Sequence, residues 1–318
     1  MSLLQPWILQ INFNYGGINM KKHAFLIMAH NSIIDLITCC KSIDDVNHNI
    51  YIHIDKKWQS FNEKELLKEI HSSKVFLLRN RLSVMWGGGY SQIKVEMNLY
   101  KAAIKDNNDY YHLISGVDMM IKSNAYFDKF FEDKDCEFIS FCGSDWNKEA
   151  LKRIKYYYLE DGRKKVNKII NKFGVLFQKI LKVNRVKKLT NISIVGGSNW
   201  CSLTHSFVEY IISKEKWIEK HFSYTFCADE IFIHTLAFNS LFRNKIFLLK
   251  INEKNNDFDP DMYKANMRLI DWNRGKPYTF QNEDFEQLKN CPYLFARKFC
   301  LSQTNEVSLH LLDYNKKV

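Results

Sequence analysis

The chain has 318 residues, 46% of them hydrophobic and 14% aromatic. That is enough to bury roughly 75% of the unfolded surface in one core. It shows no low-complexity linker and no repeat of fixed period, which excludes a repeat array. The formal charge is +11, yet residues 148–188 alone hold 14 Lys/Arg against 3 Asp/Glu, so the remainder is neutral. A basic chain invites nucleic acid, but no DNA- or RNA-binding motif accompanies the charge.

Residues 1–19 lack a basic n-region and a clean apolar core, which argues against a signal peptide. They read as an extension before Met20-Lys21-Lys22. Ala24-Phe25-Leu26-Ile27-Met28-Ala29 is a continuous apolar run, the first buried strand of an α/β sheet. Residues 33–43 look helical. The second strand is Asn49-Ile50-Tyr51-Ile52-His53-Ile54-Asp55, ending on an acid. A helix over 63–71 and a strand over 74–78 follow. A helix over 91–104 is entered from Trp86-Gly87-Gly88-Gly89. Tyr110-Tyr111-His112-Leu113-Ile114-Ser115 is the fourth strand, followed by Gly116-Val117-Asp118. Glu137-Phe138-Ile139-Ser140-Phe141 reads as a fifth. This alternation implies a largely parallel sheet with helices on both faces.

Ligands bind at the carboxyl ends of such strands, here marked by His30, Asp55, Trp86-Gly87 and Asp118. No GxGxxG follows the first strand and no GxxxxGK[ST] occurs, so neither a dinucleotide fingerprint nor a P-loop is supported. Within the basic stretch, Phe173-Gly174-Val175-Leu176-Phe177-Gln178-Lys179-Ile180-Leu181-Lys182 alternates apolar and basic residues at helical spacing. It fits either a solvated helix face or a helix lying on an anionic membrane surface.

Val195-Gly196-Gly197-Ser198-Asn199-Trp200 suggests close backbone approach to a ligand, or a tight turn. In Cys227-Ala228-Asp229-Glu230-Ile231 two acids precede an apolar run of helical length. Asp229 suits an N-cap. Glu230 suits the helix dipole, or a general base aimed into the crevice. The overlapping DxD patterns of Asp257-Phe258-Asp259-Pro260-Asp261 could hold a divalent cation, but their polar setting reads as a loop turn. Met267-Arg268-Leu269-Ile270-Asp271-Trp272 is strand-like.

Last comes Leu294-Phe295-Ala296-Arg297-Lys298-Phe299. Two unit charges about 4 Å apart repel by about 4 kcal/mol at an effective dielectric near 20, which an anion between them would relieve. A planar fork beside a point charge suits phosphate oxygens. The plainer reading is a surface pair with snorkelling stems. The eight cysteines show no metal-binding spacing and fit isolated thiols in a reducing compartment.

Taken together, these stretches resemble the core-2/I-branching β-1,6-N-acetylglucosaminyltransferases and peptide O-xylosyltransferases. The matching runs are Ala24 to His30, Ile52-His53-Ile54-Asp55-Lys56, Trp86-Gly87-Gly88, Gly196-Gly197-Ser198-Asn199-Trp200, and Phe222-Ser223-Tyr224-Thr225 through Glu230 to His234-Thr235. Arg268 to Arg274 and Phe295 to Phe299 complete the set, which is nearer the xylosyltransferase branch. The resemblance implies a GT-A-like fold with a Rossmann-like, mostly parallel sheet, and an inverting, metal-free transfer from a UDP-sugar. It makes Glu230 the catalytic base. Arg297 and Lys298, helped by Arg268, hold the diphosphate in place of a cation. Asp55 contacts the nucleoside, with Met28, Ala29, Val84, Met85, Trp86 and Gly87 completing the pocket. Asn199 and Trp200 join the nucleotide-sugar-binding set, and Asp118 and Asp229 lie on the acceptor side.

Two departures stand out. Asn199 occupies a position that is Asp in xylosyltransferases, which moves the base to Glu230 and casts doubt on xylose as the sugar. The cysteine-rich insert of the animal enzymes is absent between Arg274 and Leu294. The expectation is therefore a single domain over 20–302 with a basic insertion at 148–190 and a tail over 303–318. It is expected to be bacterial and cytoplasmic, peripheral on the inner membrane face, and to need no cofactor. Its acceptor would be a glycan or lipid-linked saccharide. The alternative is a non-catalytic nucleotide- or carbohydrate-binding module on the same fold.

Overall fold

A computed structural model describes residues 20–85, 89–158, 165–252 and 257–317. The 1–19 extension, Trp86, Gly87 and residues 255–256 lie outside the described residues. In chain order the elements begin with β1 (His23–Ala29), α1 (Ile33–Ser42), β2 (His48–Ile54), α2 (Glu63–Leu67), β3 (Lys74–Leu77) and α3 (Ser91–Ala103). β4 (Tyr110–Ser115), β5 (Asp118–Met120), α4 (Asn124–Phe131), α5 (Ser144–Lys155) and α6 (Lys165–Ile180) follow. Then come β6 (Ser202–Thr204), α7 (His205–Ser213), α8 (Glu215–Phe222), α9 (Phe232–Phe238), β7 (Ile251–Asn252) and β8 (Asp257–Phe258). The chain closes with β9 (Arg268–Ile270), α10 (Phe285–Asn290), β10 (Phe295–Arg297) and α11 (Val307–Asn315).

The central sheet runs β3-β2-β1-β4-β6, parallel except for β6, which pairs antiparallel with β4. Every residue of β1 is buried, as expected of a strand covered on both faces. Ala24, Leu26 and Met28 join one core with residues of α3, α7 and α9. Phe25, Ile27 and Ala29 join a second with residues of α1 and α4. The period-2 alternation of one strand thus feeds both layers. Local chemistry starts the helices: Ser32, Asn62, Ser123 and Thr204 each accept a backbone N–H from the first turn that follows.

A second sheet, β5-β10-β9, stands against the first. β10 pairs antiparallel with β5, Arg297 opposite Asp118, and parallel with β9. α11 packs Val307, Leu311 and Leu312 against Met119, Ala296 and Phe299. Much of the segment expected as a tail is therefore a packed helix.

Two expected elements differ. Residues 137–141 form no strand but only isolated bridges, from Glu137 to Ile246 and from Phe138 to Ser202. Their backbone groups turn to three different partners, at residues 245–247, at Ser202 and at Met262, so no continuous ladder forms. The place beside β4 goes to β6. The helix expected over 63–71 ends at Leu67.

Arg268 ties the two sheets together. Its Nη2 donates to the Cys201 carbonyl at 2.5 Å and to Ser202 Oγ at 3.0 Å, and Nη1 donates to the Asn266 carbonyl. The guanidinium lies 4.8 Å from the Phe295 ring centroid. Burial pushes its pKa down to about 10, against the opposing pull of Cys201 and Asp118. Arg268→Met should leave these acceptors unpaired and cost about 3 kcal/mol. Urea unfolding followed by circular dichroism checks this: the midpoint should fall with the slope unchanged.

Candidate active site

At the carboxyl end of β2, Asp55 is buried and organises the chain around it. One carboxylate oxygen accepts the Lys57 N–H at 2.9 Å, the other the Val84 N–H at 3.3 Å. Lys57 Nζ stands 3.4 Å from the same carboxylate. Arg81 braces the turn by donating to the carbonyls of Ile54, Asp55 and Trp58. Met28 and Val84 are wholly buried and Ala29 nearly so. Met28 and Val84 belong to one core cluster and Ala29 to the other, so their side chains lie in the core rather than at a surface. The Met85 N–H donates to Ser91 Oγ, the first residue of α3.

The Arg297–Lys298 pair sits at the end of β10. Here the anion that relieves it is internal. Arg297 Nη1 donates to Asp118 Oδ1 and Ser115 Oγ, both at 2.5 Å. The guanidinium also lies 4.6 Å from the Trp200 ring centroid. Asp118, expected on the acceptor side, instead faces this cation, with its other oxygen accepting the Ser115 N–H at 2.8 Å. Among the described residues, Nε and Nη2 of Arg297 make no hydrogen bond and Lys298 Nζ no ion pair. Arg268, expected to assist the diphosphate, has its guanidinium engaged in the sheet junction.

Glu230 lies in a 3₁₀ turn, Ala228–Glu230, that precedes α9. Its side chain is 39% exposed, and Arg153 Nη1 of α5 donates to Oε2 at 2.7 Å. Arg153 stacks between Trp146 and Phe226, 5.2 and 5.8 Å from their centroids. Asp229 makes no N-cap. It is 7% exposed and accepts from Gln92 Nε2 at 2.8 Å. Burial, then the Glu230 charge beside it, raises its pKa to about 7.

The glycine pair approaches the protein's own backbone, not a ligand. A Cβ on Gly196 would stand 2.4 Å from the Glu230 carbonyl oxygen, and one on Gly197 2.2 Å from that of Ser140. The Gly197 N–H donates to the Glu230 carbonyl at 3.0 Å. Three residues on, Trp200 reaches Arg297. One short segment therefore links the candidate base to the candidate anion-binding cation.

Glu96 was missed from the sequence. It is fully buried on α3, both carboxylate oxygens lacking a close hydrogen bond, as does Asn199 Nδ2. Burial and the nearby Asp229 charge raise its pKa well above the carboxylate range, with weaker help from Asn199 and Gln92 in the other direction. A signal existed: Gln92, Glu96, Leu99 and Ala103 fall on one helical stripe, so two polar residues continue an apolar face. Arg153 carried no such signal, being one cation among many in the basic run.

The DxD residues are engaged locally. Asp257 accepts the Phe258 N–H, Asp259 accepts the Asp261 N–H, and Asp261 pairs with Lys264. Among the described residues, the only close trio of ligand-type side chains is Asp45, His48 and Asp128. It lies at the opposite end of the strands.

Rat xylosyltransferase 2 is 25% identical over 313 residues, covering 92% of this chain and 33% of that protein. Xylosyltransferase sqv-6 of Caenorhabditis briggsae is 26% identical over 275 residues, covering 81% and 32%. The chain thus spans about a third of the length of the curated relatives it matches. The crystal structure of mouse xyloside xylosyltransferase 1 in its apo form shows 8% identity and a TM-score of 0.38, over 86% of this chain and 96% of that one. That likeness is too weak to support any argument. The family model for Core-2/I-branching enzymes matches residues 23–290. This match takes in Asp55, Trp200 and Glu230 and stops before Arg297. Running from the first residue of β1 to the last of α10, it establishes that the chain belongs to the Core-2/I-branching enzyme family.

Proposed function

We propose that the chain is an inverting glycosyltransferase that moves xylose or N-acetylglucosamine from a UDP-sugar to a hydroxyl of a glycan or lipid-linked acceptor. The observation that carries this reading is the link, through residues 196–200, between Glu230 and Arg297. Glu230 takes the proton of the acceptor hydroxyl. The acceptor oxygen attacks the sugar C1 as the bond from C1 to the diphosphate oxygen breaks, and that oxygen keeps the electron pair. Arg153 holds Oε2 and leaves Oε1 to receive the proton.

Arg297 and Lys298 stabilise the charge that develops on the departing UDP, usually the largest catalytic contribution. Asp118 orients Arg297 while its Nε and Nη2 remain for phosphate oxygens. With Asp118 counted, the trio keeps a net charge of +1. Metal independence is supported by this pair and by the local engagement of Asp259 and Asp261. The basic segment is proposed to hold the protein at an anionic, cytoplasmic membrane face.

UDP release from UDP-xylose and UDP-N-acetylglucosamine tests the assignment. Glu230→Gln should lower kcat by about 100- to 10,000-fold, and undiminished turnover would remove Glu230 as base. Lys298→Ala should lower kcat by about 100-fold. EDTA should leave the rate unchanged; strong inhibition would return the role to the 257–261 carboxylates.

The pH profile probes Asp229. Burial and the neighbouring Glu230 hold the Asp229 carboxyl up at about 7, so its charge appears beside the Glu230 side chain as pH rises through that range and attracts the proton leaving the acceptor. The value of kcat/KM should therefore rise with an inflection near pH 7. Asp229→Asn should flatten that inflection, and a profile identical to wild type would count against the coupling.

A further inference from the structure

A groove of about 530 Å³ lies between α6 and the body, walled by Tyr158, Phe173, Leu176 and Phe226, with Lys172 and Lys179 also lining it. The volume falls within the range of small-molecule sites. α6 is pinned in place: Gln178 exchanges hydrogen bonds with the Tyr157 backbone at 2.8 and 3.0 Å, and Arg185 donates to the Tyr156 and His221 carbonyls. Its apolar stripe is nonetheless open to solvent, with Phe173 66% and Leu176 55% exposed. Between residues 162 and 208 the sequence contains no Asp or Glu. Lys172 and Lys179 make no ion pair among the described residues.

We infer that this groove holds the hydrocarbon chain of an anionic, lipid-linked acceptor, its phosphate meeting Lys172 and Lys179. Apolar walls beside unpaired cations complement a molecule that is both apolar and negative. A free sugar phosphate has no use for the walls, and a neutral lipid none for the lysines. Seven residues apart, the two lysines sit about 10.5 Å from each other along the helix, a span that suits a head group rather than a single oxygen. The groove also reaches the chemistry. Phe226 in its wall stacks on Arg153, and Arg153 holds Glu230. A molecule seated there is therefore one side chain removed from the residue that holds the base. A flat bilayer surface would need the exposed stripe but not the concavity. The inference rests on the reading of Glu230 as the base of a glycosyltransferase.

Isothermal titration with dodecyl phosphate, below its micellar concentration, tests the site without any donor. We expect one site per chain, with neutral dodecyl maltoside at least tenfold weaker and inorganic phosphate unable to compete at millimolar concentration. Leu176→Gln and the double variant Lys172→Gln/Lys179→Gln should each weaken binding at least tenfold. These side chains are exposed, and unchanged thermal melting would show that the fold is retained. Phe173→Ser serves as a second apolar variant. Unaltered affinity in all these variants would overturn the proposal. So would binding to anionic phosphatidylglycerol vesicles with none to the monomeric amphiphile, since that describes a membrane face alone. Glu230→Gln should bind dodecyl phosphate as the parent does. Loss of transfer and loss of amphiphile binding therefore report separately on the reaction and on the groove.

Discussion

At Gly196 and Gly197 three stretches of backbone meet with no room for a side chain. Ser140 lies on one side, Glu230 on another, and the Trp146 ring closes the third, 2.2 Å from where a Gly196 Cβ would stand. The Gly197 N–H fixes the Glu230 carbonyl, the Gly196 carbonyl accepts from Cys142, and His234 Nε2 donates to the Ser198 carbonyl at 3.1 Å. The position of Glu230 is thus set by its main chain, leaving its side chain to Arg153. The same rigid segment then presents Trp200 to Arg297. Overpacking such a junction typically costs about 1–3 kcal/mol, but the larger effect would be on where the carboxylate points.

The central strands were legible because they are continuous apolar runs flanked by caps and turns. β1, β2 and β4 fall within a residue of their expected bounds. The pairing partner of β4 was not legible. β6 is three residues long, and its place beside β4 depends on Arg268 and on the Phe138–Ser202 bridge, which are contacts between distant parts of the chain. For the same reason residues 137–141 look like a strand in sequence. They are apolar and extended, but their backbone partners diverge.

The site was legible as a set of residue types at strand ends, and less so as a set of pairings. Sequence could place Arg297 beside Lys298, but not Asp118 against Arg297, because antiparallel register between β5 and β10 sets that ion pair. It could separate Asp229 from Glu230 as neighbours, but not their environments. Gln92 of α3 holds Asp229 inward, while Arg153 meets Glu230 at the surface. Two adjacent acids thus have opposite solvation, the usual way for like groups to take different roles.

The buried histidines at the other end of the sheet give this arrangement a counterweight. His23 and His112 bond to each other at 2.9 Å, and His48 Nε2 bonds to Asp128 at 3.0 Å. Burial, then neighbouring cationic groups, holds His23 and His112 well below the usual histidine range. In the unfolded chain these histidines take up protons as pH falls below about 6.5, so acid favours unfolding there. Glu96 and Asp229 act with the opposite sign. Their folded pKa values lie above the unfolded ones, so acidification relieves them, for Asp229 from about pH 7 downward. The two ends of one sheet therefore offset each other as protons are added. Acid thus strains the histidine cluster while it relaxes the buried carboxylates.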